Sequence, residues 1–95
     1  MYKDLDPVLH SQLRLAVISI LVSVEKADFS YLKNETGATS GNLSVQITKL
    51  KEAGYVKVKK KFQGNFPQTN CTITTLGKER FAAYVKAISG YLKPR

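Results

Sequence analysis

A four-residue connection, Thr36-Gly37-Ala38-Thr39, constrains the fold of this chain more than any other feature. It separates two short segments whose apolar residues recur at helical spacing. Asp28 is a suitable N-cap for the first segment, and Gly37 readily takes the positive φ that ends a helix. Thr39 or Ser40 can cap the second segment. The length and chemistry of the connection are those of a helix-turn-helix turn.

The second of these helices, over about residues 40–53, has two different faces. Its apolar residues form a narrow stripe at i, i+4 and i+7, which comprises Leu43, Ile47 and Leu50. The remaining positions carry mostly hydroxyl and amide groups and few charges, whereas a solvated helix face usually has more Glu and Lys. Such a face suits base edges and phosphates.

A basic β-hairpin follows the second helix. Residues 55–62 alternate as a strand does, with Tyr55, Lys57, Lys59 and Lys61 on one side and Val56, Val58 and Phe62 on the other. Lys60 falls on the apolar side, so we expect the strand to project past the core there. Residues 63–68 are the predicted turn, and residues 69–74 the returning strand.

The chain begins and ends with longer helical patterns. Asp6 is the predicted cap of the first helix, with Pro7 at its first position. Its second apolar stripe, Leu15, Ile18 and Val22, can be covered either by a partner subunit or by a late helix of the same chain. Thr75 is the predicted cap of the last helix. That helix carries a stripe of Phe81, Val85, Ile88 and Leu92, with Pro94 as its predicted end.

The net charge is strongly positive. Fifteen Lys and Arg residues against seven Asp and Glu residues give +8, a balance that attracts nucleic acid or an anionic membrane. Between Lys49 and Lys61 six lysines stand against one acid, Glu52. A membrane surface is disfavoured because no helical segment is both basic and strongly amphipathic.

Catalytic, metal and cofactor chemistry is not indicated. No nucleophile–base grouping, glycine-rich phosphate loop or pair of carboxylates stands at a useful spacing, so we expect no enzyme and no cofactor. A single cysteine, Cys71, forms no disulfide or Cys-based zinc site within one chain, and we expect it to pack as a small apolar group. His10 is expected to be a surface or packing residue. A reducing, cytoplasmic location and a soluble protein are therefore predicted.

The sequence resembles the winged-helix regulators of the MarR/ArsR type, and most of all small single-domain members. The most specific segments are Gly41-Asn42-Leu43-Ser44, the run from Leu50 to Val56, and Thr74-Thr75-Leu76-Gly77-Lys78. The opening Leu5-Asp6-Pro7-Val8-Leu9-His10-Ser11 with Arg14-Leu15 also matches, so that the resemblance covers nearly the whole chain.

The resemblance implies a mostly helical α+β fold. It would be one domain over residues 1–95, a winged helix-turn-helix with a two- to three-stranded β wing and a C-terminal dimerisation helix. The helix 40–53 would enter the major groove of DNA, and the wing, about residues 56–74, would touch the backbone or minor groove. Relatives often carry Arg or His where this chain has Val45 and Gln46. Base recognition would then depend on Asn42, on Gln46 and on a thymine-methyl contact of Val45.

Two sets of site residues follow. The predicted DNA contacts are Thr39, Ser40, Gly41, Asn42, Ser44, Val45, Gln46, Thr48, Lys49, Lys59, Lys60, Lys61, Gln63, Asn65 and Gln68. The predicted dimer interface comprises Leu5, Leu15, Ile18, Val22, Tyr84, Ile88, Tyr91 and Leu92.

The predicted function is sequence-specific binding of double-stranded DNA by a homodimeric transcriptional regulator, with no membrane partner. A small-molecule effector is compatible with this function but is not indicated by any residue pattern. Two alternatives stay open at this stage. The domain could be a protein–protein interaction module whose basic wing docks on an acidic partner, or a non-specific architectural DNA binder.

Overall fold

A computed structural model describes residues 2–93 of the chain. Four helices and three strands follow one another in the order α1 (Gln12–Val24), β1 (Lys26–Asp28), α2 (Phe29–Thr36), α3 (Ser40–Glu52), β2 (Val56–Gln63), β3 (Phe66–Ile73) and α4 (Thr75–Leu92). The strands form one antiparallel sheet in the order β1-β3-β2. The predicted mostly helical α+β class is confirmed, and β1 supplies the third strand.

Local signals determine where α2 begins and ends and where α3 begins, as predicted. The Asp28 carboxylate accepts a hydrogen bond from the Tyr31 amide at 2.8 Å, and Gly37 ends α2 with a φ of 69°. The Thr39 hydroxyl accepts from the Asn42 amide at 3.2 Å. Each cap satisfies an amide that the helix itself leaves unpaired. The sharp connection between α2 and α3 therefore follows from contacts over three residues.

The predicted start of the first helix at Pro7 is wrong. Asp6 caps only a local turn, in which its carboxylate accepts from the Val8 amide at 2.8 Å and its carbonyl accepts from the His10 amide at 2.8 Å. Ser11 is extended, with φ −153° and ψ 129°, and α1 begins after it at Gln12. An Asp-Pro pair is equally suited to starting a turn and a helix, so this motif did not discriminate between them.

The last helix begins one residue earlier than predicted. Thr74 is still extended as it leaves β3, and its hydroxyl accepts from the Gly77 amide at 3.0 Å. Thr75 is therefore the first helical residue and not the cap. Pro94, the predicted end of this helix, lies outside the described residues.

The core lies between α1, α2, α3 and the inner face of the sheet. Its fully buried side chains are Leu9, Val17, Ile18, Leu21, Leu32, Leu43, Leu50 and Cys71. The predicted inward stripe of α3 is confirmed, because Leu43 and Leu50 are fully buried and Ile47 is 5% exposed. The predicted stripe of α4 is partly wrong, since Val85 and Leu92 face solvent while Tyr84 and Ala87 are buried.

The hairpin turn is shorter than predicted. Only Gly64 and Asn65 connect the strands, Gly64 with a φ of 66°, and β3 already begins at Phe66. Pro67 pairs with Phe62, although proline is rare inside sheets. It is tolerated because β1 pairs with β3 only from Asn70 to Thr72, so the other edge of β3 is free at Pro67.

A hydrogen bond ties the N-terminal segment to the base of the hairpin. The Tyr55 hydroxyl donates to the Asp6 carboxylate at 2.5 Å. Tyr55 is buried, although its position on the lysine-bearing side of the strand suggested a solvated side chain. Burial, and then the hydrogen bond to this carboxylate, raise the pKa of Tyr55 to about 12.

Candidate nucleic-acid interface

The outer face of α3 is open to solvent along its whole length. Among the predicted DNA contacts on this helix and its cap, only Gln46 is half-buried, whereas all the others are exposed: Thr39, Ser40, Gly41, Asn42, Ser44, Val45, Thr48 and Lys49. Val45 is 52% exposed, although it is an apolar residue with no covering element. The structure thus brings these residues together on one accessible face.

Arg14 of α1 orients the two amide side chains of this face. Its Nη1 donates to Gln46 Oε1, while its Nε donates to the Val8 carbonyl at 2.6 Å. Because a guanidinium only donates, the Gln46 oxygen must face it and the Gln46 nitrogen must face away. That nitrogen donates to Asn42 Oδ1 at 3.0 Å. The relay leaves the Asn42 amide nitrogen as a donor toward solvent.

No sequence signal assigned this role to Arg14. It lies 32 residues from Gln46 along the chain, and only the packing of α1 on α3 brings the two together. A contact at such a separation has no local pattern, in contrast to the caps of α2 and α3.

An open groove separates α3 from the hairpin. Ser44, Thr48 and Lys51 line its helix side, and Val58, Lys60 and Thr69 line its hairpin side. Cationic side chains therefore stand on both walls, and hydroxyl groups lie between them. Lysines and hydroxyls are among the groups that contact phosphate oxygens in protein–DNA complexes. Lys51 is one of the six lysines between Lys49 and Lys61, but it is not among the predicted DNA contacts.

The hairpin lysines divide between the two faces of the ribbon. The register pairs Lys57 with Thr72, Lys59 with Asn70 and Lys61 with Gln68, so these lysines share one face. Lys60 pairs with Thr69 on the other face, toward α3. This register confirms the alternation predicted from the sequence, in which Lys60 lies on the opposite side of the strand from Lys57, Lys59 and Lys61.

The three predicted amide contacts of the wing also have different surroundings. Gln63 and Asn65 are exposed at the tip. Gln68 is half-buried, and its Nε2 donates to Asp28 Oδ2 at 3.0 Å, which ties it to the cap of α2. Phe62 and Phe66, beside the turn, are each 78% exposed because the ribbon here extends beyond the core.

Cys71 and His10 both make contacts within the chain. Cys71 is fully buried, and burial raises the pKa of its thiol to about 11, in keeping with the predicted apolar packing. The His10 Nδ1 and the Tyr84 hydroxyl are hydrogen-bonded at 3.0 Å. Within residues 2–93, no three His, Cys, Asp or Glu side chains are grouped as metal ligands. No helix in the same range is both long and apolar enough to cross a membrane.

The predicted dimer residues are not equally available to a partner. Ile18 is fully buried and Tyr84 is 6% exposed within this chain, so neither has surface to offer, which corrects their assignment. The most accessible members are Val22, Tyr91 and Leu92, at 39%, 43% and 75% exposure. Leu5, Leu15 and Ile88 are half-buried against the core.

Comparisons with known proteins point to one family. A family model described as a winged helix DNA-binding domain matches residues 13–92. An uncharacterised protein of Methanocaldococcus jannaschii is 32% identical over 81 residues, which is 85% of this chain and 88% of that protein.

Solved structures share the fold. A transcriptional regulator homologue from Pyrococcus horikoshii OT3 superimposes with a TM-score of 0.78 at 32% identity, over 92% of this chain and 89% of the other. Reduced AbfR bound to DNA has a TM-score of 0.76 over 86% of this chain and 58% of its own. At 21% identity, the likeness to AbfR concerns the fold.

Proposed function

Because this chain belongs to the winged-helix DNA-binding domain family, as its sequence predicted, we propose that it is a transcriptional regulator that inserts α3 into the major groove of double-stranded DNA. The observation that carries this proposal is the open polar face of α3, with a groove that has lysines on both walls beside it. A helix with side chains fits the width of the major groove, where each base pair presents a distinct set of donors, acceptors and methyl groups.

Three neighbouring side chains of α3 would read bases. The amide nitrogen of Asn42, held outward by the relay from Arg14, would donate to acceptors such as N7 or O6 of a purine or O4 of thymine. Gln46 lies one turn further along. Val45, which is half exposed between them, matches the methyl group of thymine. The Val45 contact favours sites that contain A·T pairs.

Phosphate contacts would supply most of the affinity. Lys51 and Lys60 face each other across the groove beside α3, where one DNA strand would run between the helix and the wing. A further phosphate would lie at the exposed start of α3, near the amides of Ser40 and Gly41, where the positive end of the helix dipole favours an anion. Every neutralised phosphate releases counterions, so binding should weaken steeply with salt.

A homodimer would present two copies of α3 to one operator. Exposed apolar side chains at the end of α4, Tyr91 and Leu92, support this assembly, as does Val22 on α1. A two-fold dimer would read half-sites about 34–36 Å apart, one helical turn of DNA. The proposed activity is DNA binding without a chemical reaction. The protein would act in the compartment that contains the DNA.

Selection from random duplex DNA by the purified protein tests the proposal. We expect a two-fold motif, and a steep loss of affinity between two salt concentrations. Lys60→Ala should weaken binding to all duplexes and reduce the dependence of affinity on salt concentration. Lys86→Ala removes the same charge from an exposed residue of α4, and as a control it should change neither the affinity nor its salt dependence. Retention of DNA without any enriched motif would point instead to architectural binding, and no retention to a protein partner.

A further inference from the structure

Two aromatic side chains at the tip of the wing have no partner among residues 2–93. Phe62 and Phe66 flank the Gly64-Asn65 turn, and each is 78% exposed. Exposed apolar residues are common singly, but two solvated phenyl rings at the end of a projecting ribbon serve no packing purpose in the fold.

The two rings point to opposite faces of the ribbon. Phe62 pairs with Pro67, and Phe66 pairs with Gln63, which is the next residue after Phe62. Neighbouring residues of a strand alternate between faces, and paired residues share a face. Each face of the tip therefore carries one phenyl ring.

Both faces are also cationic directly behind the rings. Lys60 lies two residues behind Phe62 on the face toward α3, about 6.8 Å along the strand. Lys61, paired with Gln68, lies behind Phe66 on the other face, and Lys59 continues that row. A ribbon that is positive on both sides and apolar at its end complements a cleft with two anionic rims, such as a DNA minor groove between its two phosphate strands.

We propose that the wing tip is an aromatic wedge that enters the minor groove of the bound duplex and partly unstacks a base step there. The proposal rests on the proposed function, since α3 must first dock in the adjacent major groove. Inserted apolar side chains that kink DNA from the minor groove are a known mode of recognition, and phenylalanine is among the residues used.

The size of the tip requires the DNA to deform. An undistorted minor groove is about 6 Å wide, which is less than a two-stranded ribbon needs with a phenyl ring on each face. The groove must widen, and one ring must go between base pairs. Pyrimidine–purine steps deform at low cost, whereas A-tracts are stiff and narrow. The wedge therefore selects TA or CA/TG steps at the position of the wing, without reading base edges.

The test compares the wild-type protein with Phe62→Ala/Phe66→Ala on an end-labelled duplex. The duplex carries a dye at each end, so that energy transfer reports bending, and has either a TA step or an A-tract under the wing. We expect the wild type to bend the TA duplex, and to prefer it to the A-tract. The double variant should bind the TA duplex about 5- to 150-fold more weakly, since stacking on one aromatic ring is worth about 1–3 kcal/mol. It should not bend the duplex.

Two controls separate the wedge from other effects. The double variant has unchanged charge, so its salt slope should equal that of the wild type. The chain contains no tryptophan, so Phe62→Trp introduces a single reporter at the tip, whose emission stacking on a base should quench. Tyr31→Trp, an exposed aromatic position on α2, should keep its emission.

The outcomes distinguish the two proposals. Equal binding and bending by the double variant, or unquenched indole emission from the DNA-bound Phe62→Trp variant, overturns the wedge but leaves motif selection by α3 intact. Failure of the wild type to bind any duplex at low salt overturns both proposals.

Discussion

Gly77, in the first turn of α4, is the position at which a single methyl group should do most damage. A Cβ there would lie 2.3 Å from the Tyr55 carbonyl oxygen and 3.0 Å from a side-chain carbon of Ile73. Ordinary contacts of Cβ atoms begin near 3.4 Å, so α4 would have to move away by roughly 1 Å. The obstructing oxygen belongs to the backbone, and it also accepts a hydrogen bond from the Thr74 amide at 3.0 Å.

The expected cost of Gly77→Ala follows from three terms. Overpacking against atoms that cannot rotate away costs about 2–3 kcal/mol. Disturbing the Thr74 cap, whose hydroxyl accepts from Gly77 itself, costs about 1 kcal/mol more. The higher helix propensity of alanine returns about 1 kcal/mol. The free energy of unfolding should therefore fall by about 2–3 kcal/mol, and Tm by roughly 10–20 °C.

Gly90→Ala is the matched control, because Gly90 lies in the same helix and nothing would approach its Cβ within 4 Å. There only the propensity term acts, so Tm should rise by a few °C. Thermal and urea unfolding followed by circular dichroism measure the stability of both variants. One protein concentration is used, because the proposed dimer would melt in a concentration-dependent way. A rise in Tm for both variants would refute the close approach of α4 to Tyr55.

Three further outcomes are expected. Arg14→Ala should release Gln46 and lower the preference for the selected motif over random duplex by about 1–2 kcal/mol, more than it lowers non-specific binding. Arg80→Ala makes the same charge change at an exposed residue of α4 and should keep that preference. Equal losses of preference for both variants would contradict the relay. Tyr55→Phe should reduce the free energy of unfolding by about 1–2 kcal/mol at neutral pH. Because the phenol pKa is raised from 10.0 to about 12 on folding, the difference in stability from wild type should be complete below pH 10 and shrink as pH rises toward 12. A difference independent of pH would be inconsistent with the hydrogen bond to the Asp6 carboxylate. Cys71 should react with a thiol reagent at neutral pH only as fast as the protein unfolds, since its thiol is buried and its pKa is raised to about 11, and rapid labelling of the folded protein would count against that burial.

The helix-turn-helix could be predicted residue by residue because its signals are local. The Asp28 and Thr39 caps act over three residues, and Gly37 needs only its own φ. The apolar stripe of α3 likewise depends only on helical period. The start of the first helix was mispredicted because Asp6-Pro7 suits a turn as well as a helix. The hairpin turn around Gly64 was predicted too long because the register of the two strands determines its length.

The fold class, the element order and the polar face of α3 could all be predicted from the sequence, because periodicity and capping are encoded within a few neighbouring residues. Which of those residues share a surface depended on tertiary packing. Packing put Arg14 on Gln46, brought Lys51 and Lys60 to one groove, and buried Tyr84 inside the chain. These arrangements depend on contacts between residues far apart in the chain, and such contacts follow from the packing of whole elements rather than from any pattern along one of them.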